Sequence, residues 1–494
     1  MLKPLSEKDW NYSMAAHLLN RAGFGGTPEE IKSLADLGPA RAVASLINYE
    51  AVPDPAPNPE WAKPNPDEIA KYREAFRNGT PEQKKDAQRE QQQTYQRRML
   101  ELRGWWLRRM AYGPRPFQEK MVLFWHGHFA TSIDKVRNPY FMWRQNDLFR
   151  RLATGNWRDL LLATGKDPAM LIWLDQAQSR RDHPNENYAR EVMELFSLGE
   201  GHYTEHDIAE GARAFTGWSM SLPDQSFMFR PFIHDNGEKT FLGQTGNFDG
   251  DDIIQIIVSQ PQAARFITGK LWNYFAGSIP SSELNDALAA VLRANGNNFK
   301  PFLQTMFRSR EFYGDDIVRN QVKSPVQWLV GSVRMLECEL PPPLLSWGMT
   351  RQLGQDLFAP PNVKGWDGGV TWITTNTLLT RYNDAQSLVQ GTLPPLEAND
   401  FARKAGGGGG GKAARAMENL RMGGVRLDKI LTPAERADKD AIVTSLQNRL
   451  FQTTLSKDQQ ATLHDFLDAK TTLTDADIIT AIRLMMSTPE YQVT

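Results

Sequence analysis

The feature that most constrains this chain is the recurrence of helix-opening signatures. Thr27-Pro28-Glu29-Glu30 places a cap residue, a proline at the first helical position and two first-turn acids in order. Thr432-Pro433-Ala434-Glu435 and Ser456-Lys457-Asp458-Gln459 have the spacing of capping boxes, and Thr474-Asp475-Ala476-Asp477 opens a last helix. Such patterns supply partners for amide groups that a helix start leaves unbonded. Strand signals are confined to Trp218 to Phe248. There Ser219-Met220-Ser221-Leu222 and Ser226-Phe227-Met228-Phe229 alternate ahead of the turn-rich His234-Asp235-Asn236-Gly237. The expected fold class is therefore mainly α: a multi-helix body with a small β-hairpin or meander inserted around residues 218–248.

At 494 residues the chain exceeds one ordinary core, and 40% hydrophobic residues suffice to bury several. Composition breaks suggest six segments. Residues 1–52 form an N-terminal helical segment, and 53–113 a proline-rich connector with a long polar helix over Pro81 to Arg98. Residues 114–320 form the main helical domain, carrying the β element and the site. Residues 321–400 hold a Gly-Trp loop, 401–430 a glycine-rich flexible loop, and 431–494 a C-terminal helical subdomain. The run Gly406 to Gly411 lacks the following Lys-Ser or Lys-Thr of a phosphate-cradling loop. Met306-Phe307-Arg308-Ser309-Arg310-Glu311-Phe312 is echoed by Met485-Met486-Ser487-Thr488-Pro489-Glu490-Tyr491, as two helical subdomains built alike would show.

Fifty-seven basic against fifty-eight acidic residues give no global field for nucleic acid, so no nucleic-acid partner is expected. Cys338, the single cysteine, excludes an internal disulfide and a Cys-based zinc cluster. No apolar run reaches the ~18 residues of a membrane span. Met1 to Asn20 lacks a signal-peptide profile, so the chain as written reads as cytoplasmic; an exported chain with its signal trimmed, periplasmic or extracellular, would read the same way.

Four segments carry chemistry. His126 and His128 end the run Arg115 to Phe129, with Pro116 placed as helix position N1 and Gly127 as the helix stop. Imidazoles at the negative end of a helix either satisfy terminal carbonyls or form a ligand pair for a divalent metal. In His183 to Gly199, helical periodicity puts Asn187, Arg190, Glu191 and Glu194 on one face. The plain reading is a solvated face with an Arg190–Glu194 pair. The sharper one is two carboxylates one turn apart whose proton affinities are split. In His202 to Asp207, Thr204 is expected to cap a helix with Asp207 at N3, which removes His202 and His206 from metal geometry. His234-Asp235 falls in the predicted turn. Phe358 to Trp372 forms an irregular loop presenting Trp366 and Trp372. Asp175 ends the apolar run that begins at Asp167.

Together these segments resemble the bacterial family catalogued as domain of unknown function 1800. The resemblance rests on His17-Leu18-Leu19-Asn20-Arg21-Ala22-Gly23-Phe24-Gly25, the Phe124-Trp125-His126-Gly127-His128-Phe129 segment and Asp167 to Asp175. It continues through Asn185 to Glu191, Met193-Glu194-Leu195-Phe196, Ala212 to Trp218, His234-Asp235 and Gly365-Trp366. The polar insertion before Trp105 and the glycine run stand outside the pattern. The resemblance implies no activity. It does imply frequent export and a genetic neighbour resembling sulfatases and alkaline phosphatases, hence a partner of that kind and an envelope or extracellular polymer.

The expected function is a hydrolase acting on a carbohydrate or cell-envelope glycan through paired carboxylates. Glu191 is the expected acid, with Glu194 or Asp175 as its partner. Arg190, Asn187, His126, His128, Trp218, His234, Asp235 and Trp366 are the expected substrate-binding residues. The alternatives are a metal-dependent enzyme using His126, His128, His234 and Asp235 or Glu191, and a non-catalytic assembly or binding protein.

Overall fold

The computed structural model describes residues 1–221, 225–393, 422–453 and 455–494, and Gly406 to Gly411 lies outside them. Helices open where the caps predict. Thr27 accepts from the Glu30 amide while Glu30 reaches back to the Thr27 amide, and Thr432, Ser456 and Thr474 close reciprocal boxes of the same kind. The polar stretch is a helix as expected, Pro81–Tyr112, and it packs against Pro66–Asn78 as an antiparallel hairpin. Buried apolar side chains form one continuous cluster from Ala15 to Tyr491.

The strand content falls between Trp218 and Gly246, in two antiparallel ribbons rather than one. Trp218–Met220 pairs with Phe227–Phe229, and Lys239–Phe241 with Gln244–Gly246. The second ribbon turns through Leu242 and Gly243, both at positive φ (46° and 79°), the hand that suits a two-residue hairpin. Leu242 is an unusual residue there. Its amide donates to Asp207 Oδ1 (2.7 Å), so the neighbouring helix Glu205–Phe215 holds the turn in place.

The sequence echo has a local structural counterpart. Ser309 Oγ donates to the Met306 carbonyl and the Phe312 amide donates to the Ser309 carbonyl. Thr488 Oγ1 and the Tyr491 amide repeat those bonds with Met485 and Thr488, and both aromatic rings are buried.

A buried electrostatic cluster lies beneath Trp105. Glu119, 1% exposed, accepts from Arg109 Nε (2.8 Å), Arg150 Nε and Nη2 (2.8 and 2.9 Å) and Trp106 Nε1 (2.9 Å). Arg109 continues to Asp54, and both guanidiniums lie over the Trp105 ring. Burial alone would raise the Glu119 carboxyl, but the two arginines hold it down to about 2. One acid thus ties the proline-rich connector, the long helix and the helices Pro116–His128 and Pro139–Arg151 together.

Candidate functional site

The helix Glu186–Glu194 carries the central carboxylates. Asn185 caps it, its side-chain oxygen accepting from the Tyr188 backbone amide and its side-chain NH2 donating to the Leu174 carbonyl (2.8 Å), which fixes the helix start. Tyr188, Ala189, Val192 and Met193 face the core, which leaves Asn187, Arg190, Glu191 and Glu194 outward, as the periodicity predicts. The exit is a wide turn, in which the Phe196 amide reaches the Glu191 carbonyl (3.1 Å) and the Leu198 amide the Met193 carbonyl (2.7 Å).

Glu191 and Glu194, three apart on the helix, are neighbours with Cβ atoms ~5–6 Å apart. Their surroundings differ. Glu194 accepts a 2.6 Å hydrogen bond from the Tyr203 hydroxyl. Burial, helped by that carboxylate, pushes the Tyr203 hydroxyl well above its ordinary value, so the phenol keeps its proton to donate. Glu191 is half-buried and has no hydrogen-bond partner for its carboxyl among the described residues. Burial and the adjacent Glu194 raise its pKa, against the opposing charges of Lys364 and Arg190. Lys364 belongs to the Gly-Trp loop, so that loop reaches the carboxylate face.

Arg190 does not pair with Glu194. It forms a two-pronged pair with Glu205 of the following helix (3.0 and 2.8 Å), which same-helix spacing cannot anticipate. Asn187 is exposed. Asp175 is also exposed; it adopts a left-handed backbone (φ 57°) and pairs with Lys135 (2.7 Å). It lies beside the capped start of the helix, whereas Glu191 sits ~9 Å further along the axis at 1.5 Å per residue. Glu194, and not Asp175, is therefore the carboxylate adjacent to Glu191.

The two histidines diverge. His126 Nε2 accepts from the Phe358 amide (3.0 Å), and burial pushes its imidazole down to about 3. Its ring touches Trp106, Phe358 and Trp366. His128 Nε2 donates to the Phe196 carbonyl (3.0 Å), just beyond the carboxylate helix, and burial holds it neutral. Gly127 is not the helix stop. The helix runs through it to His128, and Phe129 takes the cap. The Gly-Trp loop packs on the Gly127 backbone, and it is Gly365 that must lack a side chain: a Cβ on Gly365, at φ +84°, would lie 2.3 Å from the Gly127 carbonyl oxygen. Gly365→Ala is accordingly expected to destabilise the protein by ~1–3 kcal/mol, from strain at positive φ and the steric clash. Thermal unfolding checks this, and an unchanged melting temperature would show that the contact is dispensable.

Trp218 is 2% exposed and packs against Tyr188, Phe215 and Phe227 beneath the helix, so its ring is a core element. His234 is buried, with Nδ1 donating to the Thr216 carbonyl (2.8 Å). Asp235 is clamped by Arg213 (2.7 and 3.2 Å), whose guanidinium holds its carboxyl below the usual range. Arg213 also binds Glu210, and Lys239 donates to the Asp235 and Gly237 carbonyls. This turn is a self-satisfied network. Among the described residues, no group of three or more His, Cys, Asp and Glu gathers to hold a metal ion. His126 and His128 each bond the backbone through Nε2, and His234 through Nδ1.

What converges is narrower than the sequence reading. Glu191, Glu194, Tyr203 and Lys364 belong to one neighbourhood, and Trp366, two residues after Lys364, packs on His126. The end of the carboxylate helix, the Phe-Trp-His-Gly-His-Phe segment and the Gly365-Trp366 loop, which are far apart in the chain, meet here. The match to a known family spans all three: the family described as "Protein of unknown function (DUF1800)" matches residues 17–493. The chain belongs to the DUF1800 family. Comparison with curated proteins and with solved structures finds no match to either. The DUF1800 match includes the long polar hairpin that the sequence pattern left aside. No helix among the described residues is long and apolar enough to cross a membrane.

Two residues of this neighbourhood were missed from sequence. Tyr203 was passed over because it neighbours a helix cap, although a tyrosine nine residues after Glu194 can fold back onto it. Lys364 has no local signal at all, since its relation to Glu191 exists only once the loop docks on Gly127.

Proposed function

We propose that this DUF1800 protein is a hydrolase that cleaves a carbohydrate or cell-envelope glycan by acid–base chemistry, with Glu191 as proton donor and Glu194 as its partner. One observation carries the reading. Two adjacent carboxyls on one helix face stand in unlike environments, one bonded to Tyr203 and the other half-buried, unbonded and raised in pKa. A carboxyl whose pKa is raised keeps its proton to higher pH than an ordinary glutamate and can give it to a leaving glycosidic oxygen. Glu194, oriented by Tyr203, would accept a proton from water or stabilise positive charge on the sugar. Trp366, half-exposed above His126, offers a ring face on which a sugar can lie. Lys364 would hold an anionic or hydroxyl substituent. A partner resembling sulfatases or alkaline phosphatases, implied by the family resemblance, would act on the same kind of polymer.

Full packing of Glu191 and Arg190 with no open cleft would favour the non-catalytic reading, and both residues are partly exposed. The test is reducing-end release from peptidoglycan and a panel of polysaccharides. Activity should fall as pH rises through the raised value of Glu191, because only the protonated acid donates. A rate that instead climbs through neutral pH, or no release from any polymer, rejects the proposal.

A further inference from the structure

The hairpin Pro66–Asn78 and Pro81–Tyr112 raises a question that the Glu191 site does not answer. Between residues 66 and 98, Tyr72 and Ala87 alone are buried among the described residues, so the outer part of the hairpin contributes almost nothing to the core. It nevertheless carries aromatic side chains. With the loop before it and the start of the helix Pro139–Arg151, it encloses a cavity of about 330 Å³. Trp61, Tyr72, Phe76, Tyr95 and Tyr140 line that cavity, and Phe76 is 40% exposed.

The polar lining is equally specific. Tyr72 is a buried residue and Tyr95 and Tyr140 are half-buried, and the hydroxyls of all three reach solvent with no hydrogen-bond partner among the described residues. Three tyrosine hydroxyls on one open cavity, none bonded to the protein, are donors and acceptors available to a ligand. The charges are unbalanced too. Glu68 is the one acid in the lining, and it is neutralised by Arg98 through two hydrogen bonds (3.0 and 2.8 Å). Lys63 and Arg137 also line the cavity, and neither is paired with a carboxylate among the described residues. The surplus is cationic.

Ring faces beside unpartnered hydroxyls suit a ligand with flat, weakly apolar faces edged by hydroxyl groups, which is a pyranose chain. Unpaired Lys63 and Arg137 call for negative charge on it. We propose that this cavity is a binding subsite for an acidic oligosaccharide, whose sugar rings stack on Trp61, Phe76 and Tyr140 and whose anionic group meets Arg137 and Lys63. The subsite shares no residue with the Glu191–Glu194 pair and stands whether or not that pair is catalytic.

The test is calorimetric titration of the full chain, in a Glu191→Gln background that prevents cutting. The probes are a galacturonate hexasaccharide, a sulfated hexasaccharide of the heparin type and neutral cellohexaose. At least one acidic chain should bind more tightly than cellohexaose, and the carboxylate and sulfate arms separate the two sources of charge. Tyr72→Phe with Tyr140→Phe keeps both rings and removes two hydroxyls, and Arg137→Gln removes one charge. Each variant should weaken that binding by about tenfold, on the scale of one or two lost hydrogen bonds. Circular dichroism should show both variants folded. Failure of both acidic chains to bind, equal binding of the neutral chain, or unchanged affinity in both variants overturns the proposal. The readout is binding alone, so failure here is distinguishable from failure of the hydrolase reading, which is judged by bond cleavage.

Discussion

Glu191→Gln should lower the rate of glycan cleavage by ~10²–10⁴, the range that a positioned general acid contributes. The substitution keeps the size of the side chain and its hydrogen-bonding capacity but removes the transferable proton. Stability should not fall with activity. The folded state disfavours the ionised carboxylate, as its raised pKa records, so a neutral amide is tolerated there or favoured. Glu194→Gln should also slow cleavage while leaving binding intact, and Tyr203→Phe more mildly, since it orients Glu194 without touching the bond. Turnover per folded molecule, set beside the melting temperature, separates these effects. If Glu191→Gln melts much lower yet cleaves at the normal rate, the carboxylate is a packing element.

Glu119→Gln should be the most destabilising of the substitutions considered, by ~3–5 kcal/mol, the cost of removing one partner from a buried ion pair. The amide would leave the Arg109 and Arg150 guanidiniums buried with Asp54 and Asn146 as their remaining acceptors. Denaturant unfolding measures the loss, and a shift within 0.5 kcal/mol, on the order of a surface substitution, would contradict the account. The wild-type protein should show the matching pH dependence. Glu119 has a folded-state pKa below its unfolded value, so its contribution is complete above 4.5 and is lost as pH falls from there towards about 2.

Local chemistry was legible in the chain. Thr27, Thr432, Ser456 and Thr474 cap helices because a cap is decided within four residues, and the strands fall where alternation and turn residues cluster. Contacts between distant segments were not. Arg190 was read against Glu194, one turn away, because sequence shows only the helix that carries it; Glu205 lies fifteen residues on. Gly127 matched a helix stop by residue type, although the helix runs through it and the Gly365 backbone packs on its carbonyl. Leu242 gave no turn signal, since its positive φ is held by Asp207 from another element. Trp218 and His234 were placed at a site from the strand-and-turn window they bound, whereas both are buried, Trp218 against Tyr188, Phe215 and Phe227 and His234 against Thr216 and Phe229. The carboxylate face itself came from periodicity alone. Its asymmetry, which gives the pair a function, needed Tyr203 and Lys364 in three dimensions.

The central claim is that Glu191 holds a proton that an ordinary surface glutamate would lose. A ¹³C titration of the glutamate side-chain carboxyls, with the Glu191 signal assigned by its loss in Glu191→Gln, tests this without any substrate. The account predicts a Glu191 midpoint above the ordinary glutamate value of 4.5, moving down when Glu194 is replaced by Gln. A midpoint at or below 4.5, unmoved by Glu194→Gln, would contradict it.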